Sequence, residues 1–234
     1  MECEYCYKPL ESRSRWLSSS IVAAILIWAG AVVSDLFKLS VFHNIKNLEY
    51  TTEEAQEAAV GLSDLLTVSC GFLQLLCGIL LAVTFICWLY RACANLWAWQ
   101  IPGISQKPMW ALWNYILPFY NLYKPHRFLY ELWFAPSWRE FKAPTGWKDM
   151  PAPMLLNGYW VLFVVGRAVE RYANNIELAE DALVDEYIAE CNAYLLSDTI
   201  GLINLLLMYF LVRGIARRHK DYAHKLQYDN SPVL

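Results

Sequence analysis

Residues 85–133 read FICWLYRACANLWAWQIPGISQKPMWALWNYILPFYNLYKPHRFLYELW. The stretch carries six of the chain's eleven Trp. Pro102, Pro118 and Pro125 interrupt it too often for an ordinary membrane span, because each proline removes a backbone donor. It is also too apolar for an ordinary loop. Backbone freed by a proline must stay covered by protein or reach the headgroups. Indole and phenol rings favour that interfacial depth. The expectation is therefore an interfacial or re-entrant segment over residues 91–134 that enters and leaves on one side of a bilayer.

Within it, Trp88, Arg91, Asn95 and Trp99 follow helical spacing, and Pro102-Gly103 ends that helix. A second apolar helix is expected from Met109 to Leu117, broken at Pro118. Pro125 suits the start of a third, in which Lys124, Arg127 and Glu131 share a face and Arg127 and Glu131 pair at i,i+4.

Working outward, four apolar runs flank this segment: residues 17–39, 65–90, 153–169 and 195–212. Roughly twenty apolar residues cross a bilayer. Composition agrees, since 57% of residues are hydrophobic and only 18% charged, where soluble domains carry about 25% charged. The expected fold is an all-α integral membrane protein of four transmembrane helices, spanning residues 17–212. The first run has a rival reading as a signal peptide cut at Ala29-Gly30-Ala31. It continues past that site through Val32 and Val33, which favours a retained span. Thr51 and Glu54 form a capping box that starts the helix leading into the second span.

Charge sets the orientation. Residues 1–16, 91–152 and 213–234 hold fifteen of the nineteen Lys and Arg. The connection after the first span is acidic, and residues 170–190 carry seven carboxylates. Basic loops stay in the cytoplasm, so both termini and the central segment are expected there. Within the acidic stretch Ile176, Ala179, Leu183 and Tyr187 fall at helical spacing, which suggests an amphipathic helix. Residues 213–234 read as a basic cytoplasmic tail with a disordered end. The net charge of −3 argues against nucleic acid as a partner.

The motif F-x-x-W-L-Y-R-A-x-x-N-L at Phe85 to Leu96 is followed by Pro118-Phe119, Asn121-Leu122 and Lys124-Pro125, then L-x-x-L-W at Leu129 to Trp133. Together these resemble the bacterial membrane family known as domain of unknown function 4328. The resemblance extends over roughly residues 20–215 and implies a multi-span protein of the bacterial inner membrane. The family has no assigned activity, so it transfers no catalytic residue.

Three groups of polar residues stand out. Arg91, Asn95, Asn121, Lys124, His126 and Arg127 lie among aromatics on the cytoplasmic side, and suit either an anionic lipid headgroup or simple interfacial anchoring. Asp35, Arg167 and Asp198 fall at similar depth near the outer ends of their spans. An ionisable group at mid-span costs roughly 2.5–3.5 kcal/mol, so the three either form one ion cluster or snorkel separately to water. Cys3 and Cys6 form half a zinc knuckle in the 1–16 tail. Zinc needs four ligands, so a second half-site would have to come in trans. The other five Cys are mostly in apolar runs and set no disulfide framework.

H-E-x-x-H, G-x-S-x-G and a phosphate loop are all missing from the sequence. The expected function is a non-enzymatic scaffold or regulatory membrane component without a cofactor, whose partners are the bilayer and a homo-oligomer or another membrane protein. The alternative is an oligomeric transporter or channel for a small solute or ion that uses the proline-broken stretch.

Overall fold

The computed structural model describes residues 6–50, 52–110, 113, 124–176 and 182–229. Five helices account for most of them: α1 (Glu11–Lys46), α2 (Glu53–Ala98), α3 (Lys124–Phe134), α4 (Met154–Asn174) and α5 (Val184–Asp229). Two short 3-10 helices, Ala135–Glu140 and Gly146–Asp149, lie between α3 and α4. No strand occurs among the described residues.

Three of the helices, α1, α2 and α5, are long and apolar enough to cross a membrane. Four such spans are expected from the sequence, and by length and apolarity the count among the described residues is three. The third expected run does form the 21-residue helix α4. Its apolar centre is too short, because Asn157 and Gly158 open it and Arg167, Glu170 and Arg171 close it.

Helix ends follow local chemistry. Thr52 caps α2, its Oγ1 accepting from the Ala55 N–H at 3.2 Å. The cap is thus one residue beyond the expected Thr51, which lies outside the described residues. Helix α2 ends at Ala98, and Gln100 and Gly103 then take positive φ values of 52° and 86°. At Gly103 a Cβ would meet Lys148 Cε at 2.8 Å, so the turn admits no larger side chain without movement. Of the expected amphipathic helix, Tyr187 lies on α5, Ile176 and Leu183 lie outside the described helices, and residues 177–181 lie outside the described residues. Helix α4 stops at Asn174 and α5 begins at Val184, while Ala179 lies outside the described residues.

The chain divides into two compact units. The first comprises the described residues within Met1–Ile21, Leu81–Trp160 and Leu207–Leu234; the second comprises Val22–Leu80 and Val161–Leu206. Their packing differs in kind. All twelve of the largest fully buried side chains belong to the first unit, among them Trp88, Trp147, Phe128, Leu132 and Ile215. The second unit turns its apolar side chains outward: along α2, Leu65, Val68 and Phe72 are 63%, 70% and 60% exposed. Exposed apolar surface on that scale is foreign to a water-soluble monomer and normal for lipid-facing helices.

The two expected tails are also corrected. Residues 6–10 are docked: Asn95 exchanges hydrogen bonds with the Lys8 backbone at 3.1 and 3.3 Å, Arg91 donates to the Cys6 carbonyl at 3.2 Å, and Leu10 is buried. Helix α5 continues through the expected basic tail to Asp229, because Ile215, His219 and Tyr222 are buried within the first unit, and the end of that tail, residues 230–234, lies outside the described residues.

Candidate functional site

In the first unit the central stretch supplies a brace. The loop after α2 has carbonyl and amide groups with no helical partner, and side chains satisfy them. Trp97 Nε1 donates to the Gln106 carbonyl at 2.8 Å, and Trp147 Nε1 donates to the Pro102 carbonyl at 3.3 Å. Ser105 donates to Glu131 through both its N–H and its hydroxyl. Tyr130 reaches the Trp147 and Met150 carbonyls at 2.9 and 2.5 Å. The expected Arg127–Glu131 surface pair is therefore replaced by an inward carboxyl bonded to Ser105, with Arg127 acting on it only at longer range.

Burial raises the Glu131 carboxyl above its ordinary range, against the Ser105 hydrogen bonds that pull it down. An unfolded chain loses this proton at lower pH than the folded one. Stability from this group is therefore lost as pH rises from the ordinary carboxylate range through the raised folded value. Glu131→Gln should flatten that part of the profile. Thermal melting of the detergent-solubilised chain between about pH 4 and pH 8 tests this, and an unchanged slope in the variant would contradict it.

A basic cleft lies in the same unit, between the start of α1 and the end of α5, with a volume of about 1290 Å³. Arg15, Arg213, Arg217 and Lys220 line it, with Glu11 as its one carboxylate. Glu11 is matched by Lys220 at 3.1 Å. His219, 2% exposed, also lines the cleft, and neither ring nitrogen makes a hydrogen bond. The Leu132 carbonyl acts on this ring without completing one. Trp99 fixes the imidazole by ring contact at 5.3 Å, and Tyr7 stacks on Trp99 at 5.5 Å.

In the second unit a separate polar pocket of about 400 Å³ gathers Ser34, Asp35, Gln74, Glu190 and Asp198. Gln74 donates to Asp198 at 3.0 Å, and the Asp35 and Asp198 carboxyls face one another. Ser34 Oγ and Asp35 Oδ2 are buried without a hydrogen bond. Lys38, also on the rim, is paired with Asp64 at 3.1 Å. No three His, Cys, Asp or Glu side chains among the described residues converge at metal-ligand spacing.

The residues singled out from sequence therefore fall in different places. Asp35 and Asp198 come together, whereas Arg167 pairs with Glu170 on its own helix at 2.9 Å. Arg91 and Asn95 hold the N-terminal segment, and His126 meets Asn157 at 3.0 Å. Lys124 and Arg127 sit on α3, apart from the basic cleft. Asn121 and Cys3 lie outside the described residues, as does most of the expected Met109–Leu117 helix; Cys6 is exposed. The basic cleft itself escaped the reading of the sequence. Its signal was the i, i+4, i+7 spacing of Arg213, Arg217 and Lys220, which continues the last apolar helix instead of marking a tail.

These features define an all-helical protein whose three long apolar helices suit a multi-pass membrane protein. The chain belongs to the family described as Domain of unknown function (DUF4328), whose model matches residues 51–217. No curated protein and no solved structure matches it.

Proposed function

We propose that this protein is a non-enzymatic scaffold or regulatory component of the bacterial inner membrane, crossing it four times with both termini in the cytoplasm. The observation that carries this reading is how the first unit uses its polar groups. Trp88, Arg91, Asn95, Trp97, Tyr130, Glu131 and Trp147 bond to the chain's own backbone or to serine hydroxyls that fix one segment on another. That arrangement builds a rigid platform. Its partners are the bilayer and a second copy or another membrane protein.

Four crossings are supported by contacts inside each unit. Trp138 donates to Tyr222 at 3.0 Å and Lys225 pairs with Glu140 at 3.0 Å, which keeps the segment before α4 with the end of α5. Lys46 pairs with Asp185 at 2.6 Å, and Phe42 stacks on Tyr187, which keeps the end of α1 with the start of α5. The charge pattern supports a crossing by α4 despite its marginal apolarity: basic residues among 124–148 precede it, and the carboxylates Asp185, Glu186 and Glu190 follow it. Glu170 beside Arg167 reduces the cost of its charged end.

The polar pocket around Asp35 and Asp198 favours one second reading, a small-ion pathway in an oligomer. Proteoliposomes separate the two. The scaffold reading expects sodium, potassium and proton fluxes equal to those of empty vesicles. Flux that Asp198→Asn abolishes would replace it with transport.

A further inference from the structure

We propose that the basic cleft of the first unit binds a phosphate-bearing anion. The inference goes beyond the scaffold reading and does not depend on it. Four permanent cations against one carboxylate leave an excess of three positive charges on the cleft wall, setting the histidines aside. Lys220 is neutralised by Glu11, but Arg217 has no carboxylate partner among the described residues. Arg213 is held by its own helix: it donates to Tyr209 Oη at 2.9 Å and lies over that ring. A guanidinium tied by one nitrogen keeps donors for a second acceptor, and its fork matches two phosphate oxygens.

All four cations are exposed, so water screens their mutual repulsion, and their excess positive charge remains available to attract an anion into the cleft. His219 adds an independent sign. It is a buried imidazole on the cleft wall with no hydrogen bond at either nitrogen, whereas buried polar groups are nearly always satisfied. The ring nitrogen on which the Leu132 carbonyl does not act is the one left for an anion oxygen, and it donates only when the ring is protonated. The hydroxyls of Ser18 and Ser19 on α1 offer further donors from the opposite wall. Arg218, next to this set in sequence, is withdrawn from it: its guanidinium covers the Trp133 ring at 3.7 Å.

Phosphate of this kind has two sources: the headgroup of an anionic phospholipid, or a soluble phosphorylated compound. The full chain in nanodiscs distinguishes them. In phosphatidylcholine discs, pyrophosphate is titrated while thermal stability is followed. In a second series phosphatidylglycerol replaces part of the phosphatidylcholine without added pyrophosphate. Stabilisation by pyrophosphate assigns a soluble ligand, and stabilisation by phosphatidylglycerol alone assigns the lipid.

In either case Arg213→Gln with Arg217→Gln should weaken the response by about tenfold or more, as expected for losing charge-assisted hydrogen bonds. Lys142→Gln, an exposed cation outside the cleft, should leave it unchanged. If the double variant does not fold, Arg15→Gln, which carries one cation of the facing helix, should weaken it in the same sense. A wild-type protein that neither ligand stabilises would overturn the proposal. So would equal responses from wild type and cleft variants.

Discussion

Trp88→Ala is expected to cost about 3–5 kcal/mol, the range for emptying a large aromatic from a packed core. The ring is fully buried and its Nε1 donates to Ser14 Oγ at 2.9 Å, so the variant loses both packing and a link between α1 and α2. Phe85 stacks beside it at 6.2 Å, and Leu89 and Ala92 on the same helix are fully buried too. The neighbours are therefore already committed and have little freedom to refill the space. The fraction of protein remaining folded after graded heating in mild detergent measures the effect. Trp88→Phe should retain more than half of the stability that Ala loses, because most of the volume stays. A melting curve for Trp88→Ala that overlays wild type would show that this core does not hold the first unit together.

Gly214→Leu should produce a comparable loss by the opposite route. A Cβ at residue 214 would stand 2.6 and 2.8 Å from Trp133 ring atoms. Contacts that short force one partner to move, and overpacking typically costs about 1–3 kcal/mol, more when neighbours are pinned. Trp133 is pinned, since Arg218 covers its face and donates back to the Gly214 carbonyl at 3.2 Å. The glycine is thus the site where α3 can approach α5. Replacing Trp133 with Ala in the Gly214→Leu background should recover part of the loss, so the two effects should not add. Strict additivity in that double-mutant cycle would mean the close approach is not what the glycine provides.

Much of this architecture was legible from the chain. Charge distribution and apolar runs located α1, α2 and the membrane part of α5, because hydrophobic length is a one-dimensional property. Thr52 shows the limit of such reading: Thr51 is the one that fits the capping box with Glu54, yet Thr52 is the residue whose hydroxyl caps the helix. Long-range pairing was less accessible. Nothing in the sequence says that Lys38 takes Asp64, since that choice depends on helix rotation; Arg167 and Glu170 do stand at a readable i,i+3 spacing, but only the geometry shows Arg167 taking Glu170 in place of Asp35. The docked residues 6–10 were hidden for a similar reason. A polar, Cys-containing end looks like a tail until Asn95 is found bonded to the Lys8 backbone. The basic cleft was obscured because its cations come from the two ends of the chain.

The position of α4 decides the account most directly. Epitope tags inserted singly after Asn47, Lys142 and Lys225 can be probed with protease in intact and permeabilised spheroplasts. Four crossings predict that the tags at Lys142 and Lys225 are protected until permeabilisation, while the tag at Asn47 is cleaved in intact spheroplasts. Tags at Lys142 and Lys225 on opposite sides of the bilayer would contradict the four-crossing layout, and with it the cytoplasmic platform.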